Sequence, residues 1–399
     1  ASAMLPFFSG TLGSSASFFF LVNASLLLLL VPVEAIAAPQ PQVCAQIPWS
    51  DQEELGKALD LNFPTIAINM SRHWALTEKV ADINGLRDLY PKHEVFEVSL
   101  TNDGSFYGSR AAENSPIGKA RHRPASITLR WDHFLDALLG KRASKNAYGE
   151  NFNDPPPEIG KVHLGVIPDT YIWYQNGQTS AMIREALLPL VDEPAKLMEK
   201  EALSFFIWLS AGGTTSNLHY DPSENWICQV MGEKELTMFA PEDVDKMYPV
   251  SFEDPNFELD IQQLLQADGS LTSFPVPQQY KDNKVYAAVD NHAPDFELFP
   301  AFKNATPWTC TVRAGSCMFV PQFWWHNIKS FGRIDGVSAD FGLNMATNMW
   351  FGNPVRKKRP GVMDLMTMSK RLKQALKATR KHLKKKLQRR QPGRSSSGP

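Results

Sequence analysis

The chain has 399 residues, 43% hydrophobic and 21% charged, which supplies a sizeable apolar core and excludes a disordered polyelectrolyte. Four cysteines without a CxxC pair exclude a disulfide-dense framework and argue against a structural zinc site. The net charge of −1 conceals an asymmetry: residues 356–394 hold sixteen Lys and Arg against one acid, Asp364, so an acidic body precedes a basic tail.

Residues 1–38 contain no Lys or Arg. Phe18–Val33 is an apolar run shorter than the roughly 20 residues of a membrane span. Ala35-Ile36-Ala37 follows with the A-x-A form of a signal-peptidase site. The segment is read as a secretory signal peptide, which predicts the secretory pathway or endoplasmic reticulum lumen. A membrane anchor, an organelle presequence and a cytoplasmic protein are the alternatives.

Residues 39–200 are expected to form an N-terminal α/β portion. After the Pro/Gln-rich link Ala38–Asp51, Glu53–Leu59 predicts a short helix and Phe63–Asn69 a buried strand. Thr77–Tyr90 has helical spacing at Val80, Ile83, Leu86 and Leu89, Val95–Leu100 alternates like a strand, and Ile127–Leu139 reads as helix. Asn151–Glu158 is rich in turn residues. From residue 201 to 355 the signal becomes short alternating strands: Phe205–Ser210, Trp226–Met231, Glu235–Phe239, Cys310–Val312, Cys317–Val320, Trp324–Ile328 and Val337–Phe341. Turn residues sit between most of them, which predicts a β-sandwich or barrel. Residues 252–305 form an acidic, Pro-rich insertion, expected to be partly helical around Ile261–Gln266.

Residues 356–399 form the basic tail, a helix followed by an end, Gln391–Pro399, expected to be disordered. Leu365, Leu372, Leu376, Leu383 and Leu387 keep one face of that helix apolar. Three readings stand: a homodimer through the C-terminal helix, a surface for an anionic partner (nucleic acid or lipid), or a solvated charged helix. Cys310 and Cys317 flank the Arg313-Ala314-Gly315 turn and are read as small hydrophobic residues, with a disulfide between them as the alternative.

The chemistry centres on Leu218-His219-Tyr220-Asp221-Pro222. In a strand, residues i and i+2 point the same way, so His219 and Asp221 can reach one metal ion. The best second histidine is His326, in Phe323-Trp324-Trp325-His326. Two His and one carboxylate on one face leave three open positions, the arrangement of non-haem iron(II) oxygenases. A 2-oxo acid fills two of these and O₂ the third. An isolated His-x-Asp is common by chance, so the neighbouring hairpin matters. Its second arm puts Lys234 on the same inward face as Leu236 and Met238. A buried ammonium needs an anion, and the distal carboxylate of 2-oxoglutarate fits that need. A lysine snorkelling to water is the bland alternative.

The stretch TTSNLHYDPSENWICQVMGEKELTMFAP resembles the small JmjC hydroxylases, the cupin-like group that contains the asparaginyl hydroxylase of hypoxia-inducible factor. VRAGSCMFVPQFWWHNIKS, TNMWF and the segment Asp290–Phe296 with Phe299-Pro300 extend the match, in order, from about Phe63 to Phe351. The resemblance implies a mainly β fold with α additions, the double-stranded β-helix (jelly roll) of the cupin/JmjC group. It implies Fe(II) held by His219, Asp221 and His326, with 2-oxoglutarate on Lys234 and O₂ as oxidant. It also implies that Ser216, Asn225, Tyr174 and Asn348 meet the cosubstrate, with Tyr171 and Asn344 as competitors for the last two roles.

The expected activity is hydroxylation of a protein or RNA substrate, with release of succinate and CO₂. Histone lysine demethylation ranks lower because no chromatin-reader segment accompanies the core. A non-catalytic cupin-like binding module ranks lower because no ligand is missing. His292 with Asp290 and Asp295 is read as a loop rather than a second metal site, and Trp324, Trp325 and His73-Trp74 as structural. There is no Walker loop, G-x-S-x-G elbow or Rossmann fingerprint.

Overall fold

The computed structural model describes residues 39–140, 171–176, 197–251, 261–265, 271–275, 285–332, 343–352 and 363–390. Within these, residues 82, 91–94, 102–103, 107, 112–118, 124 and 199–201 are not described. The leader segment 1–38, the Asn151–Glu158 turn, the strand expected at Val337–Phe341 and the Gln391–Pro399 end lie outside the described residues.

In chain order, the first half contains β1 (Gln42–Val43), β2 (Ala45–Pro48), α1 (Gln52–Asp60), β3 (Thr65–Ile68), α2 (Ala75–Val80), α3 (Ile83–Arg87), β4 (Val95–Thr101), β5 (Gly108–Ala111), β6 (Lys119–Arg123), β7 (Ala125–Arg130), α4 (Trp131–Gly140) and β8 (Tyr171–Asn176). The second half contains β9 (Ser204–Ser210), β10 (His219–Tyr220), β11 (Glu224–Met231), β12 (Glu233–Phe239), β13 (Pro249–Ser251), β14 (Ile261–Leu265), β15 (Leu271–Pro275), β16 (Val285–Ala287), β17 (Trp308–Arg313), β18 (Cys317–Val320), β19 (Trp325–Phe331), β20 (Asn344–Phe351) and α5 (Leu365–Arg390).

Two large sheets form the expected jelly roll. One has the order β1-β17-β12-β19-β10-β16-β13, the other β2-β3-β18-β11-β20-β9-β8-β4-β7. A smaller sheet, β15-β14-β6-β5, shares no strand pairing with either. The inner faces of the large sheets meet in one apolar cluster: Leu236, Met238 and Val312 from the first, Ile66, Ile227, Met318 and Val320 from the second. The outer face of the second sheet is also covered, by α1 to α4. Leu55, Leu59, Leu76, Trp131 and Phe134 pack there against Trp226, Val230 and Phe319. That double cover explains why all eight residues of β11 are buried, whereas β12 alternates between buried and half-buried.

Three expectations change. Ile127–Leu139 is not one helix. Its β-branched start continues β7 against β4, and the helix begins at Trp131, from which Trp131, Phe134, Leu135 and Leu138 are buried. Ile261–Gln266 is not helical either: Ile261–Leu265 forms β14, paired with β15 and β6, so a tertiary partner overrides the local pattern. Thr77–Tyr90 breaks into α2 and α3. The cysteines also differ. Cys44 pairs with Cys310 and Cys228 with Cys317. Cys310 and Cys317 do not bond to each other because β17 and β18 belong to different sheets, and the turn between them crosses from one to the other.

Candidate metal centre and its pocket

Strand register builds the centre. β10 lies antiparallel to β19 with His219 opposite His326, which sets their rings 4.4 Å apart, centroid to centroid. Asp221 leaves the end of β10 on the same side, and its Oδ2 lies 3.7 Å from His326 Nε2. One possible ligand atom from each of the three lies within 4.8 Å of the others, the only such trio among the described residues.

Backbone carbonyls fix both imidazoles. His219 Nδ1 lies 2.6 Å from the Asn217 carbonyl and His326 Nδ1 2.9 Å from the Trp324 carbonyl. A carbonyl only accepts, so each Nδ1 carries the proton and each Nε2 keeps a lone pair for a metal. Trp350 Nε1–H donates to Asp221 Oδ2 at 3.4 Å and orients the carboxylate. Two neutral nitrogens and one carboxylate on one side suit a divalent iron with open positions and do not make a closed zinc cage.

The trio opens onto a cavity of about 160 Å³ between the two sheets. Lys234 lines it from β12, 5% exposed, with Nζ donating to Ser330 Oγ at 2.7 Å. Burial lowers its pKa from 10.5 to about 7. Among the described residues that line the cavity, Asp221 of the metal trio is the one carboxylate beside that amine. Tyr220, next to Asp221, is pushed up to about 12 by burial and by that carboxylate.

Of the remaining expected contacts, Ser216, Asn225 and Asn348 line the cavity. Ser216 Oγ accepts from the Ile328 amide at 2.8 Å, and Asn348 Nδ2 donates to Asn225 Oδ1 at 3.1 Å. Asn344 does not join them: its amide donates to the Glu233 and Phe331 carbonyls and pins the β11–β12 turn. Tyr171 and Tyr174 both sit on β8, and their side chains lie outside the described residues. His292 is a loop residue, as expected. Its Nε2 bonds Asn327 Oδ1 at 2.7 Å, while the Asp290 and Asp295 carboxylates accept backbone amides. Trp324, Trp325 and Trp74 are buried in the walls.

Sequence reasoning missed several lining residues. Ile328 and Ser330 line the cavity from β19 and Trp350 from β20. They stand two or four residues beyond His326 or Asn348, so strand alternation alone selects them. Phe106 and Trp208, stacked 5.1 Å apart, form another wall that no local pattern marks.

Residues 51–357 match the cupin-like domain family. The chain belongs to this family. Among curated relatives, it is 28% identical over 275 residues to Jumonji C domain-containing protein 5 of Drosophila melanogaster, covering 69% of this chain and 53% of that one. It is 29% identical over 270 residues to the bifunctional peptidase and (3S)-lysyl hydroxylase JMJD7 of Homo sapiens, covering 67% and 73%. A third relative, JmjC domain-containing protein D of Dictyostelium discoideum, is 27% identical over 129 residues, 32% of this chain and 22% of that one. The match thus spans from about a fifth to about half of the length of several relatives. The cupin-like chain is a JmjC-type member, and its relatives by name include a lysyl hydroxylase, lysine demethylases and a tRNA wybutosine-synthesizing protein.

Proposed function

We propose that the chain is an Fe(II)- and 2-oxoglutarate-dependent oxygenase that hydroxylates a protein or RNA substrate. The observation that carries this reading is the shared cavity: a His-Asp-His trio and a buried lysine amine line the same space. A metal site alone explains the trio. An anionic ligand gives the buried lysine a charged partner.

In this reading His219, Asp221 and His326 hold iron(II), and Lys234 with Ser330 holds the distal carboxylate of 2-oxoglutarate. Ser216 adds a hydroxyl to the same carboxylate, and Asn225 and Asn348 present polar groups to the cosubstrate. Trp350 keeps Asp221 turned inward, and the Phe106–Trp208 stack limits water entry. When bound, iron with 2-oxoglutarate and O₂ supplies hydroxylation of a C–H bond, with one oxygen atom in the product and the other in succinate, and with CO₂ released. The names of the relatives support hydroxylation of lysine or modification of tRNA as substrate classes.

The test is substrate capture with the Asp221→Ala protein, followed by reaction of the captured material with wild type. The expected result is a product heavier by one oxygen atom, with succinate formed in equal amount. Formaldehyde release would move the assignment to demethylation. Succinate formation unchanged in His219→Ala, Asp221→Ala protein would overturn the oxygenase reading.

A further inference from the structure

A strongly basic helix lies outside the pocket. Helix α5 carries eleven Lys and Arg and no acidic residue over its 26 positions. Its two faces differ sharply. Met368, Ala375, Thr379 and Leu383 are buried, in contact with the core around β13 and β16. The same side is pinned to the body by polar contacts. Arg371 bonds the Asp245 carboxylate at 3.2 Å, His382 Nε2 lies 2.7 Å from the Leu298 carbonyl, and Lys386 donates to the Glu297 carbonyl at 2.9 Å. The opposite side is solvent-exposed and bears Lys370, Lys373, Lys377, Lys381, Lys384 and Lys385. At 100° per residue these six fall within about 120° of arc and span about 22 Å along the axis.

From this we infer that α5 is a nucleic-acid docking surface that binds the phosphodiester backbone along its exposed lysine stripe. Like charges gathered on one face repel one another, and the fold holds them together by rigid anchoring of the other face. Such an array gains most from a polyanion with closely spaced charges, because it releases that polymer's condensed counterions. Duplex nucleic acid carries one charge per about 1.7 Å of axis, so a 22 Å stripe faces enough phosphates to satisfy each lysine. The acidic body repels such a polymer elsewhere, which confines it to α5. An anionic membrane fits less well. Interfacial helices bury an apolar face in lipid, and here that face is already packed on the protein, with Leu365 and Met366 at the first turn the only exposed large apolar side chains of α5 among the described residues. The inference goes beyond the oxygenase reading and does not depend on it.

The test uses the full chain and a fluorescent duplex of roughly 20 base pairs, RNA or DNA, with anisotropy read at salt concentrations from about 50 to 200 mM. Wild type is expected to bind, with affinity falling steeply as salt rises. Lys373→Gln, Lys377→Gln, Lys381→Gln, Lys384→Gln together should weaken binding at least about 100-fold at low salt and reduce the log–log salt slope by about 3 to 4. The four Lys→Arg replacements should keep both. Comparison of the RNA and DNA duplexes then says which source of phosphate is preferred. Thermal melting of the Gln variant is expected to match wild type, because the anchoring residues are untouched. No binding at low salt, equal affinity in the Gln variant, or binding to phosphatidylserine vesicles without binding to either duplex would overturn the inference.

Discussion

Burial in the pocket holds the Lys234 amine at about 7, against an ordinary 10.5, because a dry cavity disfavours its charged form. The sign of the consequence follows from linkage. The unfolded chain takes up the proton near 10.5 and the folded chain only near 7, so this group costs stability as pH falls through that window, and the cost stays constant below it. Lys234→Met should therefore raise the melting temperature of the ligand-free protein by a few degrees at neutral pH, with the gain fading towards pH 10.5, as thermal melts across pH would record. The same variant should lose 2-oxoglutarate affinity by at least about 100-fold, since a carboxylate then meets no cation. In wild type, affinity for 2-oxoglutarate should fall as pH rises above about 7, because binding must then recruit a proton to the amine. At the metal trio, Trp350→Phe removes the donor to Asp221 Oδ2 and should weaken iron binding about 10-fold, read by metal titration with the fold unchanged.

At the scale of elements, the turn that carries the chain from β11 in one large sheet to β12 in the other delivers Lys234 to the cavity, and it leaves little freedom. Gly232 sits at φ +75°, and a Cβ there would come within 2.4 Å of the Phe331 carbonyl oxygen. Gly232→Ala should destabilise the fold by about 1–3 kcal/mol, measured by denaturant unfolding. The inward face of β12 was legible in the sequence from its alternation, but the expected hairpin does not form: β11 pairs with β18 and β20, β12 pairs with β17 and β19, and the glycine turn crosses from one sheet to the other. The same rule made His219 and Asp221 legible as a pair, and the opposition of His219 and His326 was legible only as a possibility, since no local signal sets the register of β10 against β19. Elements whose identity depends on distant partners escaped. β7 and β14 read as helix because leucine and isoleucine spacing serves either period, and pairing with β4 and β15 decided the outcome.

Across the whole molecule, all four cysteines are used in long-range links. The Cys44–Cys310 bond spans 266 residues and ties the N-terminal strands to β17, and the Cys228–Cys317 bond spans 89 and ties β11 to β18. Peptide mapping without reduction should recover these two linked pairs, and recovery of a Cys310–Cys317 link would contradict the strand order described here. Sequence spacing could not assign them, because cysteine partners depend on which sheet each strand joins. The jelly roll itself was legible from its run of short strands, and the motifs around His219 and His326 set its family. The account rests centrally on one cavity that takes iron and 2-oxoglutarate together. Calorimetric titration of 2-oxoglutarate into oxygen-free protein tests it most directly. One cosubstrate molecule should bind per chain when iron(II) is present, with binding lost in Asp221→Ala and in Lys234→Met. Equal binding without metal, or unchanged binding in Lys234→Met, would contradict the account.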